Sequence, residues 1–257
     1  MRNLYLITAL FAVLTFTTCG DPEIADPIDL SADYAYFPLE LDRPLFYDQD
    51  SIVLFNTVGG VVYDTSRSQV RETLVERFTE ADGSEWYRGE RWQRPNENSP
   101  WTFVQTYTVS RTEGAAFRRE DNLQFTKLVF PIRENRTWDG NAAFDVRREI
   151  VVGGEFLDVY NGWDYRYQNV DTSFAVTDVV YPNALFIRQA RVEDNLIDFR
   201  RAHEIYVPGV GLVERFIDAR HTQCRVCCNN GQDTGLCFDL PWDEKAEKGF
   251  ILRQTIR

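Results

Sequence analysis

Residues 101–109 read WTFVQTYTV, and the alternation of their side chains decides the fold class. One face of an extended chain would carry Trp101, Phe103, Tyr107 and Val109, and the other Thr102, Thr106 and Thr108. Successive side chains of a strand point to opposite faces, so a period of two is typical of a strand with one buried face. The segment therefore predicts a β-strand that packs against a core.

The same period recurs further along the chain. Trp163, Tyr165 and Tyr167 alternate with Asp164, Arg166 and Gln168, and Leu212 and Phe216 alternate with Val213, Arg215 and Ile217. Residues 70–78 fit either a helix or a strand, but the Asp82-Gly83 turn after them favours a strand in a hairpin. Ala142 to Val152 predicts a short helix that ends at Gly153-Gly154.

Turn signals lie at the spacing of β-hairpins. They are Gly59-Gly60, Asp82-Gly83, Glu113-Gly114, Tyr181-Pro182-Asn183, Asp194-Asn195 and Pro208-Gly209. Such spacing predicts about ten to twelve strands and an all-β fold with little helix. A long flat sheet would leave exposed edges, so we expect a single antiparallel sheet that is strongly curved, or a partly closed barrel or sandwich.

The N-terminus has the layout of a secretory signal peptide. Arg2 precedes an apolar run of thirteen residues, Leu4 to Phe16, which is shorter than the about 20 residues of a membrane-spanning helix. The junction Phe16-Thr17-Thr18-Cys19 resembles the lipobox of bacterial lipoproteins, whose cysteine is acylated and becomes the mature N-terminus. We therefore predict a signal peptide at 1–18 and lipidation at Cys19; the alternative is an ordinary signal peptide cut near Cys19.

An acidic, proline-containing segment follows the predicted lipidation site. Residues 20–33 read GDPEIADPIDLSAD, which predicts an extended tether at 19–33 before a β-rich domain at 34–257. The segment also resembles the acidic run after the lipidated cysteine of surface-exported lipoproteins. These features predict an outer-membrane location, lipid-anchored, on the periplasmic face or the cell surface.

Composition limits the classes of partner. The chain is 44% apolar and 14% aromatic, as expected of a globular protein. Its formal charge is −12, which repels phosphate backbones, so we expect no nucleic-acid partner. The same charge opposes adsorption to anionic headgroups, so membrane contact would depend on the acyl anchor at Cys19.

Four short motifs carry a resemblance to a known group of proteins. They are Tyr36-Phe37-Pro38-Leu39, Phe130-Pro131 with Trp138-Asp139-Gly140-Asn141, residues 204–213 (EIYVPGVGLV) and Gly249-Phe250-Ile251-Leu252. Together they resemble landmarks of uncharacterised Bacteroidota lipoproteins. The resemblance implies a lipid-anchored, β-rich protein with no assigned reaction, and no catalytic residue is carried over from it.

One cysteine-rich loop offers two kinds of chemistry. His221 precedes it, and Cys224, Cys227, Cys228 and Cys237 lie within it, in a hairpin insertion predicted at about 222–248. An exported chain meets an oxidising compartment, and four thiols remain once Cys19 is acylated, so we expect two disulfides. Joining the adjacent Cys227 and Cys228 would be strained, which leaves two pairings. The alternatives are a zinc site built from the same five residues and free thiols.

Signals for catalysis are weak, and we predict neither catalytic residues nor a cofactor. Only two histidines occur, and we expect His203 to be structural or on the surface. No Gly-x-Ser-x-Gly or Ser-x-x-Lys motif is present. A dense set of aromatics predicts a core, with an exposed row for stacking on sugars as the alternative: Trp86, Tyr87, Trp92, Trp101, Trp163, Tyr165 and Tyr167.

Three functions remain open at this stage. We expect a non-enzymatic lipoprotein of the outer membrane, an accessory or binding subunit of an envelope assembly with envelope proteins or glycans as partners. The second is a carrier that shelters an apolar ligand in a cavity of roughly 300–1,000 Å³ inside its curved sheet. The third is a lipoprotein that binds or hydrolyses surface glycans or peptides.

Overall fold

Fourteen β-strands form the framework of the protein, whose computed structural model describes residues 29–223 and 238–257. The strands are β1 (Leu45–Thr57), β2 (Gly60–Thr79), β3 (Glu85–Arg94), β4 (Thr102–Arg111), β5 (Ala115–Glu120), β6 (Leu123–Val129), β7 (Thr137–Trp138), β8 (Glu149–Val152), β9 (Glu155–Asp158), β10 (Trp163–Val176), β11 (Val179–Val192), β12 (Asp198–Val207), β13 (Gly211–His221) and β14 (Lys248–Ile256). Two one-turn helices are α1 (Ser31–Tyr34) and α2 (Trp242–Lys245). The predicted all-β class is confirmed.

Twelve strands form one antiparallel sheet that is nearly closed into a barrel. Their order is β6-β5-β4-β3-β2-β1-β14-β13-β12-β11-β10-β7. The two edges approach each other: the Thr126 amide donates to the Gly140 carbonyl at 2.8 Å, and the Tyr167 hydroxyl bridges the amide and carbonyl of Val129. The predicted curved, partly closed sheet is therefore confirmed.

The residues before β1 close one end of this barrel, which we call the mouth end. Tyr36 and Phe37 are buried there, and the Gly209 amide donates to the Ala35 carbonyl at 2.8 Å. Asp33 accepts a hydrogen bond from the Ile132 amide. Because α1 begins at Ser31, the end of the predicted tether at 19–33 belongs to the folded body.

The opposite end, which we call the far end, is covered by the hairpin of β8 and β9. Leu157 and Val159 pack there against Ala219 of β13. This arrangement shows that the helix predicted over 142–152 is wrong. Its last four residues are β8, and Gly153 and Gly154, with φ of 58° and 83°, form the hairpin turn. Positive φ suits glycine in a tight turn between strands as well as at the end of a helix.

The hairpin of β10 and β11 covers part of the outer face of the barrel. Its residues Val176 and Ala184 form an apolar cluster with Ile205, Val207 and Val213. The turn predicted at Tyr181-Pro182-Asn183 is wrong, because these residues lie inside β11. The chain reverses between Val176 and Val179 instead. Near residues 181–183 the strand continues, and its pairing with β10 is irregular, with several shifts of register.

Two β-bulges change the predicted faces of β4 and β13. Val104 is an extra residue opposite β3, so Phe103 points outward and is 47% exposed, while Tyr107 points inward. Val213 is an extra residue opposite β12, so Leu212 and Arg215 face the interior and Phe216 faces outward. An extra residue moves the following side chains to the other face. Residues 70–78 are part of β2, as predicted.

No helix within residues 29–223 or 238–257 has the length and hydropathy that crossing a bilayer would require.

Candidate functional site

A cavity of about 90 Å³ lies at the mouth end, beside the chain segment that closes the barrel. Its walls are largely apolar and include Phe37, Leu45, Leu74, Val109, Val210 and Leu212. Tyr47, Tyr107 and Tyr206 line it more deeply, together with Arg118 and Arg215. The cavity therefore joins apolar walls to two buried guanidinium groups. Its volume is below the range expected for a carrier of an acyl chain.

The two arginines belong to a cluster of charges inside the barrel, which we call the ionic cluster. Its members are Glu72, Arg91, Arg118, Glu120, Lys127, Glu204 and Arg215. They come from β2, β3, β5, β6, β12 and β13, so closure of the sheet brings them together. With four cations and three carboxylates, the cluster carries one net positive charge.

Glu72 anchors one half of the ionic cluster. Both of its oxygens accept hydrogen bonds from Arg118 at 2.9 Å, and Nε of Arg91 lies 3.2 Å from Oε1. Burial alone would raise the pKa of Glu72, but the neighbouring guanidinium groups of Arg118 and Arg91 outweigh it and lower that pKa to about 2. Nε of Arg118 also donates to Glu120 at 2.9 Å.

Glu204 anchors the other half. Its Oε1 accepts hydrogen bonds from Lys127 at 2.6 Å and Arg215 at 2.8 Å, and its Oε2 accepts one from the Tyr206 hydroxyl at 2.8 Å. Burial opposes ionisation, but the two cations prevail and lower the pKa of Glu204. Both Glu72 and Glu204 are therefore ionised at neutral pH.

Of the two cluster arginines that line the cavity, Arg118 and Arg215, Arg215 is the one with unused donors. Its side chain is 7% exposed, and its Nε is bonded to Glu204. Neither terminal nitrogen makes a hydrogen bond to any residue in the described ranges, and Nη1 lies 3.6 Å from Oε1 of Glu120. These donors lie at the cavity wall and keep some contact with solvent, so they form the chemically available part of the site.

Gly89 sets the position of Tyr107, one of the tyrosines that line the cavity. Gly89 of β3 pairs with Tyr107 of β4, and a Cβ on Gly89 would lie 2.2 Å from Cζ of the Tyr107 ring. The opposite side of that ring faces the guanidinium of Arg118, 3.9 Å from its centroid. Tyr107 is therefore held between the backbone of β3 and the ionic cluster.

Most of the sequence-predicted site residues lie outside the described ranges: Cys19, Cys224, Cys227, Cys228 and Cys237. His221 is described, and its Nδ1 lies 2.9 Å from Oδ1 of Asp198. Within residues 29–223 and 238–257, no group of three or more His, Cys, Asp or Glu side chains is placed to hold a metal ion. The disulfides and the alternative zinc site both remain predictions.

His203 lies on the outer face, as the sequence led us to expect. Its ring stacks between Phe186 and Phe216, with centroid distances of 4.9 and 5.2 Å, and its Nε2 lies 2.8 Å from Glu214. Stacked rings on both sides hold the imidazole in place. Arg253 donates to the same carboxylate.

The dense aromatics divide between core and surface. Trp86, Tyr165 and Tyr167 are buried, and Tyr87 and Trp163 pack against the core. Trp92 and Trp101 instead face outward with Phe46 and Phe103; we call these four residues the outer aromatic surface. Arg71 lies 5.2 Å from both tryptophan rings and Arg94 lies 4.4 Å from Trp101.

The sequence does contain a signal for the ionic cluster, although its members form no sequence motif. Glu72 stands between Val70 and Leu74, and Glu204 stands between Ala202 and Tyr206, at positions that a period of two assigns to the buried face. A buried charge is paired in nearly all cases. Charged residues on an apolar face therefore indicate an ionic interior, but their partners depend on the closed sheet.

Comparison of the chain with protein-family models, curated proteins and solved structures finds no match in any of the three.

Proposed function

We propose that this protein is a non-enzymatic, lipid-anchored lipoprotein of the outer membrane, an accessory or binding subunit of an envelope assembly that uses the mouth-end cavity as its binding site. The observation that carries the proposal is that the described chain enters the barrel at the mouth end. α1 contacts the segment after β6, and the same end holds the cavity.

The length of chain before α1 limits how far the cavity would lie from an anchor at Cys19. Asp29 follows Cys19 by ten positions in the sequence. A flexible chain of that length has a root-mean-square span of roughly 17 Å and a fully extended one of roughly 35 Å. An acyl anchor would therefore keep the mouth end nearer the bilayer than the far end, where β13 ends at His221.

The electrostatics support binding over catalysis. General acids and bases work best with a pKa near the operating pH. In the ionic cluster the pKa values of the three carboxylates, Glu72, Glu120 and Glu204, are all lowered, away from neutrality; burial also lowers the pKa of Lys127, and the Glu204 carboxylate beside it opposes that change. His203 and His221 each contact a carboxylate and no serine or threonine hydroxyl of the described residues. The groups at the cavity are suited to holding a ligand by charge.

Lipidation is tested with Cys19→Ala in the cell and by detergent-phase partitioning. We expect the wild-type protein in the membrane and detergent fractions and the variant in the aqueous fraction, because acyl chains supply the binding to the bilayer. Cys224→Ala is a matched control that removes a cysteine but leaves the predicted anchor. Unchanged partitioning of Cys19→Ala would contradict the proposal.

A second candidate function is binding of glycans on the outer aromatic surface. Phe103 is 47% exposed and Phe46 is 39% exposed, and Arg71 and Arg94 offer donors beside the indole rings. Sugars stack on exposed aromatic faces, and guanidinium groups hydrogen-bond their hydroxyls. The test is binding to a panel of envelope polysaccharides by wild type and Trp101→Ala, with the exposed change Val179→Ala as control. Equal binding by wild type and Trp101→Ala would exclude this surface.

A further inference from the structure

We propose that the mouth-end cavity binds a monocarboxylate with a short aliphatic chain, whose carboxylate is held by the terminal nitrogens of Arg215. This inference names the ligand class of the binding site proposed above. It does not depend on the lipid anchor, because every residue it uses belongs to the barrel.

Charge is the first argument for an anion. The ionic cluster has one more cation than carboxylates, and five of its seven members are buried. Two further carboxylates are nearby and compensate for it only in part, since Asp121 interacts with Arg91 and Arg118 from a position that solvent screens. Glu40 at the cavity rim pairs with Arg43 at 3.1 Å, and Asp121 is exposed in the turn after β5. An uncompensated buried cation is costly, and an anion in the adjoining cavity would relieve that cost.

Hydrogen bonding assigns the anion to Arg215. Arg118 already donates to Glu72 and Glu120 through three of its nitrogens, whereas Arg215 uses only Nε. The planar fork of a guanidinium matches the two oxygens of a carboxylate. Arg118 lines the same wall and would attract the anion by its charge while it keeps its hydrogen bonds to Glu72 and Glu120.

The size and lining of the cavity limit the rest of the ligand. A cavity of 150 Å³ accommodates benzene, so one of about 90 Å³ holds roughly four non-hydrogen atoms. That is a carboxylate and its first carbon, with the chain continuing along Phe37, Leu45 and Val210 to the opening. These three walls are apolar and suit an aliphatic chain, whereas the polar side chains of the lining are the tyrosines of the deeper part and the Glu40–Arg43 pair at the rim.

The binding test is isothermal titration calorimetry of the purified protein with butyrate and hexanoate in low-chloride buffer. Butyramide and butylamine are matched probes that lack the negative charge. We expect butyrate to bind at least about tenfold more tightly than butyramide, since hydrogen bonds to charged groups are worth about 1.5–3 kcal/mol. Equal affinity of butyrate and butyramide, no binding of either acid, or inorganic phosphate binding as tightly as butyrate would each overturn the assignment.

Two variants locate the site. Arg215→Gln keeps much of the side-chain volume and removes the charge, and we expect it to weaken butyrate binding by about 10- to 100-fold. Arg253→Gln is the matched control, because Arg253 is on the outer face and contacts Glu214; it should leave the affinity unchanged. Loss of binding in both variants, or in neither, would overturn the assignment.

Val210→Trp keeps the test decisive if Arg215→Gln fails to fold. It narrows the opening and leaves every member of the ionic cluster in place, so we expect it to abolish hexanoate binding with a native circular dichroism spectrum. Full affinity in this folded variant would contradict the proposed path of the chain. The same titration on Cys19→Ala separates the two proposals: retained binding with loss of membrane association leaves the carboxylate site intact and assigns the anchor to Cys19.

Discussion

Arg118 and Glu72 form a doubly hydrogen-bonded ion pair in the middle of the barrel, with both N···O distances at 2.9 Å. They belong to β5 and β2, which are separated in the sheet by β3 and β4. The pair therefore spans the interior instead of joining neighbouring strands. Burial on all sides makes each partner dependent on the other.

Removing one partner of this pair should destabilise the protein strongly. We expect Arg118→Met to lower the free energy of unfolding by about 3–5 kcal/mol, because it leaves Glu72 buried with a charge only partly compensated. Urea denaturation at pH 7 measures the change. The control is Arg67→Met, which breaks the exposed 2.9 Å pair with Asp50 and should cost about 0–1 kcal/mol. Similar losses in the two variants would contradict the special role of the buried pair.

The interior carboxylates should also make the protein sensitive to acid. The pKa of Glu72 is about 2 in the folded state against an ordinary value of 4.5, so its ionised form stabilises the fold above about pH 4.5. That contribution to the free energy of unfolding is lost as the pH falls from about 4.5 toward 2. We expect the urea midpoint to decrease from pH 5 to pH 2.5, and the decrease to be smaller in Glu72→Gln. The exposed change Glu113→Gln should follow the wild type, and an unaltered pH dependence in Glu72→Gln would refute the assignment.

The contact between Gly89 and Tyr107 predicts a sharp effect of one methyl group. In Gly89→Ala the new Cβ would lie 2.2 Å from the tyrosine ring, so the ring and Arg118 behind it must move. We expect a loss of about 1–3 kcal/mol in the free energy of unfolding, typical of overpacking. Gly114→Ala is the matched control, because its Cβ would meet nothing within 4 Å, and it should stay within about 0.5 kcal/mol. Equal stability of the two variants would rule out the close contact.

The predicted disulfides are tested by intact mass without reductant. Two bridges among Cys224, Cys227, Cys228 and Cys237 would remove four hydrogens, and reduction should restore them. The same sample in native mass spectrometry reports bound metal. Retained zinc with no mass deficit would instead support the alternative site that includes His221. A protein with neither bound zinc nor a mass deficit would have free thiols.

The alternation of side chains predicted much of the architecture and little of the site. Trp163, Tyr165 and Tyr167 point inward as their spacing indicates, because a strand with one buried face leaves a local signature. The bulges at Val104 and Val213 leave none, since an extra residue is visible only against its partner strand. The pairing of Glu72 with Arg118 is equally non-local, because it exists only when the sheet closes.

The pairing of β1 with β14 has a consequence for how the chain acquires its shape. β14 follows every other strand in the sequence yet lies near the centre of the sheet, joining the half that begins with β1 to the half that ends in β13. Without residues 248–256, β1 and β13 would each have one unpaired edge. The twelve-stranded sheet is continuous only when β14 pairs with both, so truncation before Lys248 would divide one barrel wall into two separate sheets.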